Sequence, residues 1–208
     1  MTDAPDLRAR RLTLAAAELE VLRRRTGVPL PGDLAAEADE AALAAAAAAL
    51  AGRGVLTADG AAHPSVAANL AVLGAPELVV LTRVQHPDAR VRAWHAVAGA
   101  AGASLIATSD RTVELSLFAA ADLRRELLRA VPEAGALAGE ARGVLHGLVV
   151  RPGTPPAAGQ VLWWATPGGW LGARPGPDRR GGRRLVLVPA RREDYPGWLA
   201  PLVAEALG

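Results

Sequence analysis

Apolar residues along this chain recur first at helical spacing and then at every second position, and the change falls near Glu77. Before it, Leu14, Leu19, Val21 and Leu22 predict a helix that Thr13 caps and that runs to about Arg25. Three arginines then sit at its negative dipole end, and Gly27 and Pro29 stop it. Asp39 precedes a second helix, Glu40 to Ala51, an alanine bed holding Leu43 and Leu50 and closed by Gly52 and Gly54. Ser65, after Pro64, reads as the cap of a short third helix that ends at Gly74 and Pro76.

Beyond Glu77 the period is that of strands. Leu78 to Val84 and Arg90 to Ala98 fit strands, and Ser104 to Thr108 with Thr112 to Leu117 fits a hairpin turning at Ser109, Asp110 and Arg111. A helix over Ala119 to Val131 follows. The stretch 133–159, rich in Gly, Pro and Ala, reads as a join with one strand, Leu145 to Val150. Gln160 to Ala165 and Trp170 to Arg174 flank the turn Thr166, Pro167, Gly168, Gly169. Strand Leu185 to Val188 then leads to a helix with Trp198, Leu199, Leu202, Val203 and Leu207 at helical spacing. Consecutive strands joined by short turns pair antiparallel. The pattern therefore predicts an α+β protein with a central antiparallel sheet flanked by helices. It also predicts one domain over 1–208, with halves at about 12–132 and 160–208.

The closing strand and helix repeat an earlier pair. Thr112 to Ala130 matches Arg184 to Leu207 when shifted by 72 positions: Val113 and Leu115 fall on Leu185 and Leu187, Asp122 on Asp194, Leu123 on Tyr195, and Leu127 on Leu199. Such a duplication predicts an internal pseudo-twofold repeat. With no evident catalytic group in either copy, it suggests a scaffold that presents a surface.

Composition narrows the chemistry. A chain of 208 residues buries roughly 70% of its unfolded surface, enough for one substantial core. Cysteine is absent, which removes disulfides, thiolate nucleophiles and cysteine metal sites. Lysine is absent too, so the 23 basic residues are all arginine against 21 acids, and the pI of about 10.2 reflects missing titrating groups rather than a basic surface. Nucleic acid is not expected as a partner. The longest apolar run, Ala41 to Ala51, is too short to span a bilayer, and Glu18 and Glu20 interrupt any secretory segment. A cytoplasmic protein without membrane insertion is expected.

No reactive constellation emerges. His86, Asp88 and His95 lie close in sequence, but zinc wants three or four converging ligands, and a packed histidine beside a solvated one is the simpler reading. No serine sits in a Gly-x-Ser-x-Gly turn, and without lysine no phosphate loop is complete. Neither an enzyme, a metal nor a cofactor is expected. The aromatic residues say more: Trp163, Trp164 and Trp170 share one hairpin, and adjacent strand residues point to opposite sides, so two neighbouring indoles need two covers. One indole is a candidate anchor for a partner. Seven arginines face one acid, Asp178, between Arg174 and Arg192. Arg179, Arg180, Arg183 and Arg184 join the three tryptophans as candidate partner-binding residues.

In this order the chain resembles the EspG family, cytosolic chaperones of actinobacterial type VII (ESX) secretion. The residues that carry the likeness are the Leu14 to Leu22 helix with Gly27 to Pro31, the stretch Leu50 to Leu56 leading to Asp59 and Gly60, Leu70 to Pro76, and Val91 to Ser116 with the helix Asp122 to Pro132. The resemblance implies a central antiparallel sheet with pseudo-twofold symmetry. It further implies a partner, a secreted helical-hairpin protein of the PE and PPE kind, kept soluble by covering its apolar end. After Val150 the chain looks shorter than full family members. Two other readings compete. A winged-helix DNA-binding protein is disfavoured because 1–60 holds seven arginines against nine acids; a homodimeric structural module without a client is the other.

Overall fold

The structure, a computed structural model, describes residues 11–29, 38–87, 89–107, 112–139, 143–153, 160–177 and 183–207. It opens on a strand that the helical reading concealed: β1 (Arg11–Ala15) precedes α1 (Ala16–Thr26). Thr13 therefore lies inside a strand and does not cap α1. Tertiary pairing overrides the local signal, for Leu12 and Leu14 stand opposite Leu115 and Val113 of β5 (Thr112–Ala119). The helix start is served instead by Glu18, whose carboxylate accepts the Ala15 N–H at 2.8 Å. Gly27, at φ 69°, ends it in the left-handed conformation glycine adopts without strain.

Helix α2 (Glu40–Gly52) begins as expected, with the Asp39 carboxylate accepting the Ala42 N–H at 2.7 Å. Helix α3 (Pro64–Gly74) starts two residues early: Pro64 takes the first helical position, and the cap is His63, not Ser65, with His63 Nδ1 accepting the Ser65 N–H.

The remaining strands are β2 (Leu78–His86), β3 (Ala89–Ala98), β4 (Ala101–Ala107), β6 (Val144–Val150), β7 (Gln160–Thr166), β8 (Gly169–Pro177) and β9 (Arg183–Ala190). The nine form one sheet in the order β1-β5-β4-β3-β2-β6-β7-β8-β9, antiparallel at every described register. Helix α4 (Leu123–Arg129) follows β5, and α5 (Tyr195–Leu207) follows β9. The helix expected from Ala119 to Val131 is thus a 3-10 turn, Ala120–Asp122, plus a shorter α-helix, with Pro132 beyond it. The same turn recurs at Arg192–Asp194, 72 residues on, and Leu123 and Tyr195 each open the helix that follows. Leu127 and Leu199, matched by the same shift, are both buried.

The chain divides into two compact units, 1–77 with 95–123, and 78–94 with 124–208. In the first, α1 packs on α2 and β5, while α3 packs on β4 and β5. Arg53, just past α2, donates to both oxygens of Glu18 at 3.1 Å and to the Thr13 carbonyl at 2.7 Å. Buried Glu20 accepts from Arg23 and Arg24 at 2.6 to 2.9 Å, and the Arg23 hydrogen bonds above all lower its pKa to about 2. Two wholly buried hydroxyls, Ser104 and Ser116, satisfy each other at 2.6 Å.

In the second unit α5 lies against β2, β6 and β7. Arg192 reaches back to the end of α4 and donates to the Leu128 and Val131 carbonyls at 2.6 Å, a cation on the negative end of that helix. No helix among the described residues is long and apolar enough to cross a membrane.

Candidate partner-binding face

Two adjacent rows across the second unit's sheet separate the neighbouring indoles. One row runs Val84, Leu145, Trp163, Gly172, Val188; the next runs Gln85, Val144, Trp164, Leu171, Pro189. Successive strand residues face opposite ways, so the rows lie on opposite sides. On the first side Trp163 is fully buried, edge-on to Tyr195 (ring centroids 5.5 Å apart) and Trp198 (5.3 Å), with Trp170 at 6.0 Å. Two glycines make room for this cluster. A Cβ at Gly172 would overlap the Trp198 ring and lie 2.6 Å from Trp163 Nε1, and one at Gly147 would lie 2.5 Å from the Tyr195 hydroxyl. That hydroxyl bonds Thr82 Oγ1 at 2.8 Å, and burial raises the phenol's pKa.

Among the described residues the other side carries no such aromatic cluster. Leu81, Val144, His146, Leu148, Leu162, Trp164, Leu171 and Ala173 alternate with buried residues and are all half-exposed. At the β9 end Leu185 and Leu187 are 69% and 53% exposed, the only large apolar side chains so exposed among the described residues. The sequence repeat makes this telling. Their counterparts Val113 and Leu115 are 4% and 0% exposed, in the unit where β1 pairs with β5 and α1 and α3 pack on the sheet. Positions that match in sequence under the 72-residue shift are thus buried in β5 and exposed in β9.

Of the residues expected to meet a partner, Trp163 and Trp170 belong to the buried cluster, while Trp164 lies on the open side. Arg184 is exposed on β9, Arg183 opens that strand, and Arg179 and Arg180 lie outside the described residues. The sequence reading missed Leu185 and Leu187, which only their edge-strand position exposes. It also missed Trp94, half-exposed on β3 between buried Ala93 and His95. Beside Trp198 an open cleft of about 520 Å³ is lined by Arg124, Arg174, Asp194 and Pro189, with the Arg174 guanidinium 4.0 Å over the Trp198 ring, a cation–π contact. His86 and His95 are buried, Asp88 lies outside the described residues, and no group of three or more metal-binding side chains converges among those described.

Fold and site together define an α+β sheet scaffold whose second unit is packed on one side and, among the described residues, half-exposed on the other. The EspG family model matches residues 8–151, and the chain belongs to the EspG family. Its structure is similar to that of the Mycobacterium tuberculosis type VII secretion system chaperone EspG5, solved in complex with the PE25–PPE41 dimer. The TM-score is 0.64 at 13% identity, over 93% of this chain and 96% of that one, so the likeness in fold does not stop at Val150. No curated protein matches the sequence.

Proposed function

We propose that this EspG-family chain is a chaperone that masks the apolar tip of a secreted helical-hairpin protein, a PE/PPE-like substrate of a type VII system, on the open side of its second unit. The observation that carries this reading is the contrast between buried Val113 and Leu115 and their exposed repeats Leu185 and Leu187. In one copy the chain's own elements cover these places; in the other a client does. Trp164 is the anchor, since a large half-exposed indole amid aliphatic neighbours suits an interface hot spot. Masking needs no bond chemistry, so the protein acts by binding alone, in the cytoplasm, before export. EspG5, found with PE25–PPE41, supports the choice of client class.

Co-expression with PE–PPE pairs, PE25–PPE41 among them, tests this. The expected result is a client soluble only with this chain, co-eluting with it on size exclusion, and lost with Trp164→Ala. Failure to capture any pair, or capture unaffected by Trp164→Ala and Leu187→Asp together, counts against it.

A further inference from the structure

Prolines fix which way the backbone of β9 faces. In the β8–β9 ladder Leu171 stands opposite Pro189, Ala173 opposite Leu187, Pro175 opposite Leu185 and Pro177 opposite Arg183. Proline has no N–H, so a pair that contains one cannot exchange both backbone hydrogen bonds. Antiparallel pairs alternate between hydrogen-bonded and non-hydrogen-bonded, and Pro175, Pro177 and Pro189 all fall in the same alternate set. Val186 and Val188 therefore bond β8, while the N–H and C=O groups of Leu185 and Leu187 point away from it. That edge is an end of the sheet, for β9 closes the strand order among the described residues. Between Arg184 and Pro189 it runs Leu-Val-Leu-Val, with neither the charge nor the proline that blunts an exposed edge.

We infer that this edge pairs with β9 of a second copy of the chain, antiparallel and centred on Val186, joining two sheets into one. The occupant has to bring a strand: a helical hairpin such as the proposed client satisfies its own backbone and offers no edge. About Val186 the pairing is self-complementary. Leu185 falls opposite Leu187 of the second copy and Leu187 opposite its Leu185, so each leucine exchanges backbone bonds and gains an apolar cross-strand neighbour. Arg184 falls opposite Val188, which sets the two Arg184 residues roughly 14 Å apart along the strands, beyond the screening length of about 10 Å at 0.1 M salt. Sliding the pairing by two residues one way brings these arginines to about 7 Å along the strands. Sliding it the other way moves Pro189 from the end of the ladder to a place opposite Leu185, where a donor is lost. Edge pairing leaves the leucine tips on the open side, so second copy and client use different parts of β9. One eight-residue strand makes a small interface, and the dimer forms and dissociates with concentration.

Sedimentation of the full chain over a concentration series tests this, and the mass is expected to rise from monomer to dimer. The chain has no cysteine, so a single introduced one reports the register. Val186→Cys meets its own copy in a non-hydrogen-bonded pair, with Cα atoms about 4.5 Å apart and within disulfide reach. On mild oxidation it is expected to crosslink at least about tenfold faster than Arg184→Cys, whose two copies lie too far apart. Leu187→Pro removes an outward N–H and leaves the bonds to β8 intact; it should give a monomer with an unchanged circular dichroism spectrum. Leu187→Ala, which keeps that N–H, should still dimerise. The crosslinking pair decides independently of how Leu187→Pro folds. A monomer at every concentration, a dimer that persists in Leu187→Pro, or Arg184→Cys crosslinking as fast as Val186→Cys overturns the inference. A monomeric parent that captures a PE–PPE pair sinks it while leaving the chaperone reading standing; a dimer that captures none does the reverse.

Discussion

The Thr82 hydroxyl and the Tyr195 phenol lie 2.8 Å apart, both buried, and tie β2 to the first turn of α5. Thr82→Val keeps the shape but strands the phenol away from water. It is expected to cost about 1–3 kcal/mol, read as a lower urea midpoint with unchanged slope.

The same phenol sets a limit at alkaline pH. Burial raises its pKa above the ordinary value near 10, so the folded chain holds this proton where the unfolded chain has released it. Its contribution is full below about pH 10 and declines as pH climbs toward the raised folded value. Tyr195→Phe, weaker at neutral pH by about 1 kcal/mol, should lose less stability than the parent between pH 9 and 11, followed by circular dichroism.

Gly172 faces Trp198 and Trp163 too closely to accept a methyl group. Gly172→Ala is expected to destabilise by about 1–3 kcal/mol through overpacking and to change the near-ultraviolet dichroism of the indoles. Gly135→Ala, with open space around the added carbon, is the control.

Glu20 holds its charge to about pH 2 because Arg23 and Arg24 donate to it. A depressed carboxyl pKa supports stability above the unfolded value, near 4.3, and that support fades as pH falls toward the folded one. Both arginines are partly exposed, so water screens the pair. Glu20→Gln should cost about 1 kcal/mol at pH 7 and almost nothing at pH 2, by thermal melts.

Leu185→Ser with Leu187→Ser should leave unfolding within about 0.5 kcal/mol of the parent, since both side chains already meet water. Capture of a PE–PPE pair should fall at least about tenfold. Loss of stability together with capture would instead make these leucines part of the core.

Much of this was legible from spacing. Asp39 announced α2, and the Thr166 to Gly169 turn announced the β7–β8 hairpin. The separation of Trp163 from Trp164 followed from strand alternation alone. Strand β1 did not, because five residues whose partners lie about a hundred positions away carry no local sign of pairing. Nor did the exposure of Leu185 and Leu187: apolar alternation is the same in β5 and β9, and only the strand order shows which has a neighbour on its far side. Which indole is covered depends on Tyr195 and Trp198 reaching back over Gly147 and Gly172, a relation between distant residues.

The lid over Trp163 comes from α5, which is made after every strand it rests on. A ribosome stalled before Tyr195 would therefore release a nascent sheet with bare indoles on one side and bare leucines on the other. Such a fragment is greasy on both surfaces and a ready target for proteolysis. Translation has to pass through α5 before the bare side is the only one a newcomer finds.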